Sequence, residues 1–329
     1  MKLDAFNHIH PVSFIDQLEA FAPAYLIKAM RGIRTLYDVE ARLRHLEPFE
    51  DYCQILSAAN PSIDDWAGPD HTPALARTLN DGLAAVSKAH PDRFPGYIAS
   101  LPMNNPDAAL AEIDRAVRDG GASGIQIYSN IKGKPLDLPE FEPIFARMAE
   151  LGRPIWLHPM RPPTHADYAT EETSKFDIWW GFGWAYETSA AMARLAFSGI
   201  FERHPDLKII CHHWGGYAPH ADGRMDQHWQ HGITISPDAE PIWQNKTRSL
   251  RETFKMFYGD TAMFGGQAAS QCGLEFFGAD HSVFATDYPF DPEEGAFVIR
   301  ETTAVIDALQ CSAEDRRKIY EENPKSLLA

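Results

Sequence analysis

The sequence predicts an α/β fold, a (β/α)8 TIM barrel with loop insertions at its C-terminal face. Three observations lead there. Eight short apolar runs alternate with helical patterns along the chain, the pattern of parallel β/α units. The 329 residues accommodate a barrel of ~250 residues together with insertions. An open, doubly wound sheet would carry a Gly-rich turn after its first strand, whereas here that strand runs into His8-Ile9-His10-Pro11. No Pro-, Gly- or Ser-rich linker divides the chain, so one domain over residues 1–329 is expected.

In chain order, strands are expected at Lys2–Ile9, Asp51–Ser57, Gly96–Leu101, Gly124–Tyr128, Pro154–His158, Leu207–His212, Lys255–Asp260 and Ser282–Asp287. Each is a short run dominated by apolar residues. Helices are expected between them at Asp38–Leu46, Pro73–His90, Asp107–Asp119, Leu138–Leu151, Glu187–Arg203, Ala262–Cys272 and Pro292–Leu309. Asn105-Pro106-Asp107 starts one helix and Gly120-Gly121 stops it; Leu151-Gly152-Arg153-Pro154 ends another and enters a strand. The long interruptions are Pro11–Leu36, Asn60–Thr72, Met160–Tyr186 and Pro219–Ser249. The first, third and fourth follow strands, which places them at the face where barrels carry their sites.

Composition narrows the function. Hydrophobic residues at 44% and charged residues at 23% exclude a disordered or fibrous chain. Acidic residues number 46 against 30 basic ones, a net charge of −16 that disfavours nucleic-acid and anionic-membrane partners. A small anionic substrate would need a local basic pocket. Cys53, Cys211, Cys272 and Cys311 are far apart and form no CxxC pair, as expected of a reduced, cytoplasmic protein. The start MKLDAFNHIHP does not read as a signal peptide, and no apolar run is long enough to span a membrane.

Chemistry gathers at the strand ends. His8 and His10 lie two apart at the end of the first strand, so both side chains point one way. Pro154-Ile155-Trp156-Leu157-His158 ends in a histidine, and Leu207–Cys211 runs into His212-His213-Trp214-Gly215-Gly216. The two glycines would let the backbone approach a ligand. Val283-Phe284-Ala285-Thr286-Asp287 ends in an acid. Taken singly, each has a plain structural reading, a polar residue opening a loop or a histidine bonded to backbone. Together they put a metal-competent side chain at the end of four strands, on one face of the barrel. Imidazoles with a carboxylate suit Zn2+, with Mn2+, Fe2+ or Co2+ as alternatives.

The sequence resembles the amidohydrolase superfamily, in particular amidohydrolase family 2. Within it the chain is similar to the group of 2-amino-3-carboxymuconate-6-semialdehyde decarboxylases and γ-resorcylate-type aromatic acid decarboxylases. The resemblance covers nearly the whole chain. Its motifs are HIH in the first strand, GIQI at Gly124–Ile127, LHP at Leu157–Pro159, ETSAAMARLAFSGIFERHPDLKII from Glu187 to Ile210, HHWGG after it, and TDYPF at Thr286–Phe290. The long helix-plus-strand block is the most specific. The resemblance implies that His8, His10, His158 and Asp287 are metal ligands and that His213 is the catalytic histidine, with His212 as the adjacent alternative. Many superfamily members carry a carboxylated lysine on the fourth strand that bridges two metals. Here that strand reads GIQIYSN, with Gln126 and no lysine, so one ion is expected, most simply Zn2+.

Two reactions fit such a site. In a decarboxylase, the metal and a cation hold the substrate carboxylate while His213 and Asp287 handle the proton. In a hydrolase or hydratase, the same set would act on a lactone, ester, amide or unsaturated acid. The resemblance favours a decarboxylase of a small planar or aromatic carboxylic acid. The cation candidates are Arg31, in the first loop with Arg34, and Arg161, directly after His158-Pro159-Met160. Phe176–Trp184, FDIWWGFGW, offers Trp180 and Trp184 as a flat wall for a planar ring, or an oligomer contact. A homo-oligomer, dimer or tetramer, is expected from the resemblance. His220, His228 and His231 read as loop or surface residues, and Asp260 as an unassigned strand end.

Overall fold

The computed structural model describes residues 1–60, 62–225 and 247–328. Eight strands form the central sheet: β1 Lys2–His8, β2 Tyr52–Ser57, β3 Gly96–Ser100, β4 Gly124–Tyr128, β5 Ile155–His158, β6 Ile209–Cys211, β7 Tyr258–Asp260 and β8 Ser282–Val283. Each pairs in parallel with the next in sequence. The sheet closes where Ala5 N donates to Phe284 O (2.8 Å), Asp287 N to Phe6 O (3.2 Å) and His8 N to Tyr288 O (2.7 Å). Helices connect the strands, so this is the expected (β/α)8 barrel. A small hairpin, Asn130–Ile131 with Lys134–Pro135, sits outside the ring.

Two layers of apolar packing hold the barrel. Leu3, Ala5, Phe6, Ile55, Ile98, Trp156, Ile210, Val283 and Ala285 form a compact inner cluster and are fully buried. The larger cluster lies between strands and helices; Leu75, Ala76, Leu79 and Leu83 of helix Thr72–Ala89 show the i, i+4 spacing of its buried stripe. Strand register slips between Asp4 and Asn7 of β1, a β-bulge. Alternation therefore changes phase: Leu3 and Ala5 face the inner cluster before it, Phe6 after it. That change turns His8 toward the barrel mouth.

The helices depart from expectation in readable ways. Pro11–Leu36 holds two helices, Val12–Leu18 and Ala24–Gly32, each entered from a proline. Proline is tolerated there because the first N–H groups of a helix have no intrahelical partner. The helix expected at Ala262–Cys272 starts later, at Gln267–Phe277, because Phe264 (φ 48°) and Gly265 (φ 89°) are left-handed. The expected helix Glu187–Arg203 begins earlier, as Gly183–Ser198, and breaks at Gly199 (φ 79°) before Ile200–Arg203. No disulfide joins the four cysteines. Among the described residues no helix is long and apolar enough to cross a membrane.

Candidate metal centre

Four imidazoles meet at the C-terminal mouth of the barrel, and each is tied at Nδ1. His8 Nδ1 lies 2.9 Å from Ala58 O and 3.0 Å from Ser57 Oγ. His158 Nδ1 lies 2.7 Å from Pro159 O. His212 Nδ1 is hydrogen-bonded to Asp260 Oδ2, and His213 Nδ1 to Ala262 O. A carbonyl or carboxylate can only accept, so Nδ1 carries the proton in each ring. Nε2 of each ring is left facing the mouth, the arrangement that orients histidines toward a metal. Phe6 forms the floor, its ring centre 4.3, 5.1 and 5.7 Å from those of His212, His8 and His158.

The donor atoms of His8, His158 and His212 lie within 4.8 Å of one another, and so do those of His212, His213 and Asp287. Donors around one first-row ion at ~2.0–2.2 Å stand ~3–4 Å apart, so this spacing is one that a single ion can draw together. Asp287 Oδ1 lies 3.1 Å from His8 Nε2 and 3.5 Å from His212 Nε2; its Oδ2 lies 4.0 Å from His213 Nε2. His8 Nε2, His212 Nε2 and both ring nitrogens of His10 are buried without a hydrogen-bond partner. Buried polar atoms are normally paired, so the residues present fit a divalent cation. His10 sits beside the cluster with its ring stacked on Phe14 at 5.4 Å.

Electrostatics sort the rings. Burial lowers the pKa of His8 and His158, brings His10 to about 3 and His213 to about 4. These four are neutral ligands or bases. Burial also pulls His212 down, but Asp260, and then Asp287, outweigh it and lift His212 to about 10. Burial raises Asp287, and His212 and His8 more than reverse it, holding the carboxyl well below its usual range. Both Asp287 (φ 62°) and His213 (φ 55°, ψ 51°) have left-handed backbones, a strain that marks functional sites.

Comparison with known proteins identifies the family. The amidohydrolase family model matches residues 8–329. This chain belongs to the amidohydrolase family. It is 31% identical to 2-amino-3-carboxymuconate-6-semialdehyde decarboxylase of Dictyostelium discoideum over 77% of this chain and 67% of that one. It is 32% identical to γ-resorcylate decarboxylase of Rhizobium sp. (strain MTP-10005) over 89% and 88%. A crystal structure of dihydroxybenzoic acid decarboxylase from Polaromonas sp. JS666, with bound manganese and the inhibitor 2-nitroresorcinol, superposes with a TM-score of 0.80. That pair is 26% identical and covers 99% of this chain and 96% of the other.

In this amidohydrolase the structure brings His8, His158, His212, His213 and Asp287 together; His10, expected as a ligand, is not among these donors and stacks on Phe14. Trp184 joins the wall, its ring 5.5 Å from His158. Trp180 stands further out, half exposed and 6.4 Å from Trp184. Arg161 is mostly buried and pairs with Glu187 at 3.0 Å. Arg31 is exposed and pairs with Asp16 (2.6 Å) and Glu19 (2.9 Å). Arg34 pairs with Asp38 at 2.9 Å. The Gly215-Gly216 pair serves packing rather than a ligand: a Cβ on Gly216 would stand 2.0 Å from Ala185 O, and one on Gly215 2.9 Å from Met192 Sδ. His228 and His231 lie outside the described residues.

Sequence reasoning left two site residues without a firm role. His212 is a member of the cluster, and Asp260 is its partner. Asp260 is fully buried, and its Oδ1 accepts from His213 N (2.9 Å) and Ala262 N (3.1 Å) while Oδ2 holds His212. The available signal was the position of Asp260 at the end of β7, beside the strand that ends in the histidine doublet.

Proposed function

We propose that this amidohydrolase is a metal-dependent decarboxylase of a small planar or aromatic carboxylic acid. The observation that carries the reading is the convergence of Nε2-facing imidazoles on Asp287 beneath the Trp184 wall, in a chain about a third identical to such decarboxylases over most of its length. His8, His10, His158 and Asp287 would hold one divalent ion. When bound, the ion supplies positive charge that polarises an oxygen of the substrate.

The chain's own residues supply the rest. Trp184, backed by Trp180, offers an aromatic face for the ring of the substrate. His213, neutral and fixed at Nδ1 by Ala262, presents a free Nε2 toward Asp287 Oδ2, 4.0 Å away, where it can take up a proton from the substrate hydroxyl or from solvent. Loss of CO2 leaves the electron pair of the broken C–C bond on carbon, and the proton taken up at His213 Nε2 passes to that carbon and closes the reaction. His212, locked by Asp260, sits between Asp287 and His213, stacked on His213 at 3.8 Å. Arg161, mostly buried beside Glu187, is the cation assigned to the substrate carboxylate.

The imidazole-rich donor set supports Zn2+ as the resident ion. The manganese in the Polaromonas relative makes Mn2+ the first alternative, ahead of Fe2+ and Co2+. The same reading places the enzyme in the cytoplasm, supported by four unbridged cysteines. It also makes the enzyme a homo-oligomer, supported by the exposed Phe176, Phe182 and Tyr186. The test is CO2 release by the metal-loaded protein from a panel of hydroxybenzoates and muconate semialdehydes. No CO2 from any of them, with turnover of a neutral ester or lactone, would replace this reading with the hydrolase alternative.

A further inference from the structure

The guanidinium of Arg42 is sealed behind β1, with no exposed surface. It projects from helix Val39–Leu46. Its Nε donates to Gln54 Oε1 (2.9 Å), Nη1 to His8 O (2.6 Å) and Thr35 O (3.3 Å), and Nη2 to Asn7 Oδ1 (2.6 Å). Its central carbon lies 4.4 Å from the centre of the Tyr288 ring. All four hydrogen-bond acceptors are neutral, and among the described residues no carboxylate forms an ion pair with it. The buried carboxylate of this network, Asp4, is reached only through Gln54 Nε2 and Tyr52 Oη, and a buried charge with no direct counter-ion is costly, so this placement calls for a role beyond filling space.

The partners of Arg42 are the supports of the metal-facing residues. His8 O belongs to the residue whose Nε2 faces the cluster. Thr35 adjoins Leu36, whose carbonyl accepts from His10 N at 2.7 Å. Tyr288 follows Asp287, and its carbonyl accepts from His8 N. Asn7 Nδ2 donates to Ile55 O (3.0 Å) and Asp4 O (3.3 Å), so Asn7 spans the bulge that turns His8 inward. One rigid fork therefore bonds the backbone of His8, lies on the ring of the residue after Asp287, and reaches His10 through Thr35 and Leu36.

We propose that Arg42 is a positioning residue that holds His8, His10 and Asp287 in register for a divalent cation. It acts through their backbone and touches no reacting atom. The inference rests on the reading that this site binds such a cation. The planar fork matters more than the charge: lysine is a point donor and cannot serve Gln54, Asn7 and the His8 carbonyl together.

The test uses full-length wild type, Arg42→Lys and Gln54→Leu, stripped with chelator and titrated calorimetrically with Mn2+. Each is then loaded with Co2+ for its d–d absorption spectrum. Arg42→Lys should weaken Mn2+ binding by about 10- to 100-fold, the range for residues that orient metal ligands. Its Co2+ bands should shift while far-ultraviolet circular dichroism stays native. Gln54→Leu frees Arg42 Nε, together with Tyr52 Oη behind it, and should move both readouts the same way by less. A folded Arg42→Lys with wild-type Mn2+ affinity and wild-type Co2+ bands overturns the proposal. If Arg42→Lys does not fold, Gln54→Leu decides, and unchanged affinity and bands overturn it. Wild-type protein that takes up neither ion overturns the metal reading, and this inference with it.

Discussion

Replacing Asp260 with Asn tests the site at the one carboxylate that faces no ligand. The two shapes are nearly the same. Oδ1 would still accept from His213 N and Ala262 N, so the local backbone should hold. The change falls at Oδ2, where a carboxylate oxygen that accepts from His212 Nδ1 becomes an NH2 donor. To accept from that amide, His212 must give up its Nδ1 proton and become neutral, keeping the proton on Nε2. A protonated Nε2 then points at Asp287 Oδ1, 3.5 Å away, and at the space shared with His8 and His158. The hydrogen bond lost is to a charged group, worth about 1.5–3 kcal/mol, or roughly 10- to 100-fold in an equilibrium or rate. Asp260→Asn should therefore lower kcat/KM for the decarboxylated acid by about that factor, with melting temperature and circular dichroism close to wild type. Steady-state CO2 release on metal-saturated protein measures it. Native turnover in a folded Asp260→Asn variant would refute the argument that the Asp260–His212 ion pair matters.

Three further outcomes are expected. His213→Ala should keep the metal and lose turnover by ~10²–10⁴-fold, the usual worth of a general acid or base; loss of metal instead would make His213 a ligand, and a larger kinetic loss in His212→Ala at equal stability would give His212 the catalytic role. Elemental analysis of the purified protein should give one ion per chain, and chelation should abolish turnover and lower the melting temperature, since a ligand that binds only the native state stabilises it; two tightly held ions would contradict the inference drawn from Gln126. Arg161→Met should raise KM or lower kcat for carboxylate substrates by about 1.5–3 kcal/mol in kcat/KM, whereas Arg31→Met, which removes an exposed surface pair, should change little.

Barrel strands were legible because a parallel strand buried on both faces is a short apolar run, and Ile125, Ile127, Ile155, Leu157, Ile209 and Ile210 are all fully buried. Their ends were legible for the same reason, since His158 and His212 are the first polar residues after the run. What escaped was whatever breaks the local pattern. The bulge at Asp4–Asn7 shifts the phase of β1 by contacts with Asp4, Tyr52 and Thr286 that lie far apart in sequence. The eighth strand keeps regular pairing only over Ser282–Val283, while Phe284–Tyr288 continues as the closing edge against β1. The helices after Pro11 and Pro23 were hidden because proline reads as a loop signal, although the first turn of a helix tolerates it.

The histidine doublet shows why a motif can name a site without assigning its parts. On an extended strand, neighbours point to opposite faces, so only one of His212 and His213 could reach the mouth. The chain leaves that geometry at once. His213 and Trp214 are left-handed, with φ of 55° and 52°, and Gly215 and Gly216 continue the positive φ. The turn folds His213 back over His212, and the two rings stack at 3.8 Å with both Nε2 atoms near Asp287. Glycine at 216 is required because any side chain there would strike Ala185 O on the helix that also carries Trp184. Asp260 enters through register rather than through any local pattern. Cys211 of β6 lies opposite Gly259 of β7, so the next residue on each strand, His212 and Asp260, must meet across the ladder. The pairing of β6 with β7 thus also fixes the Nδ1 proton of His212 on Asp260, and with it the direction in which His212 Nε2 faces the mouth.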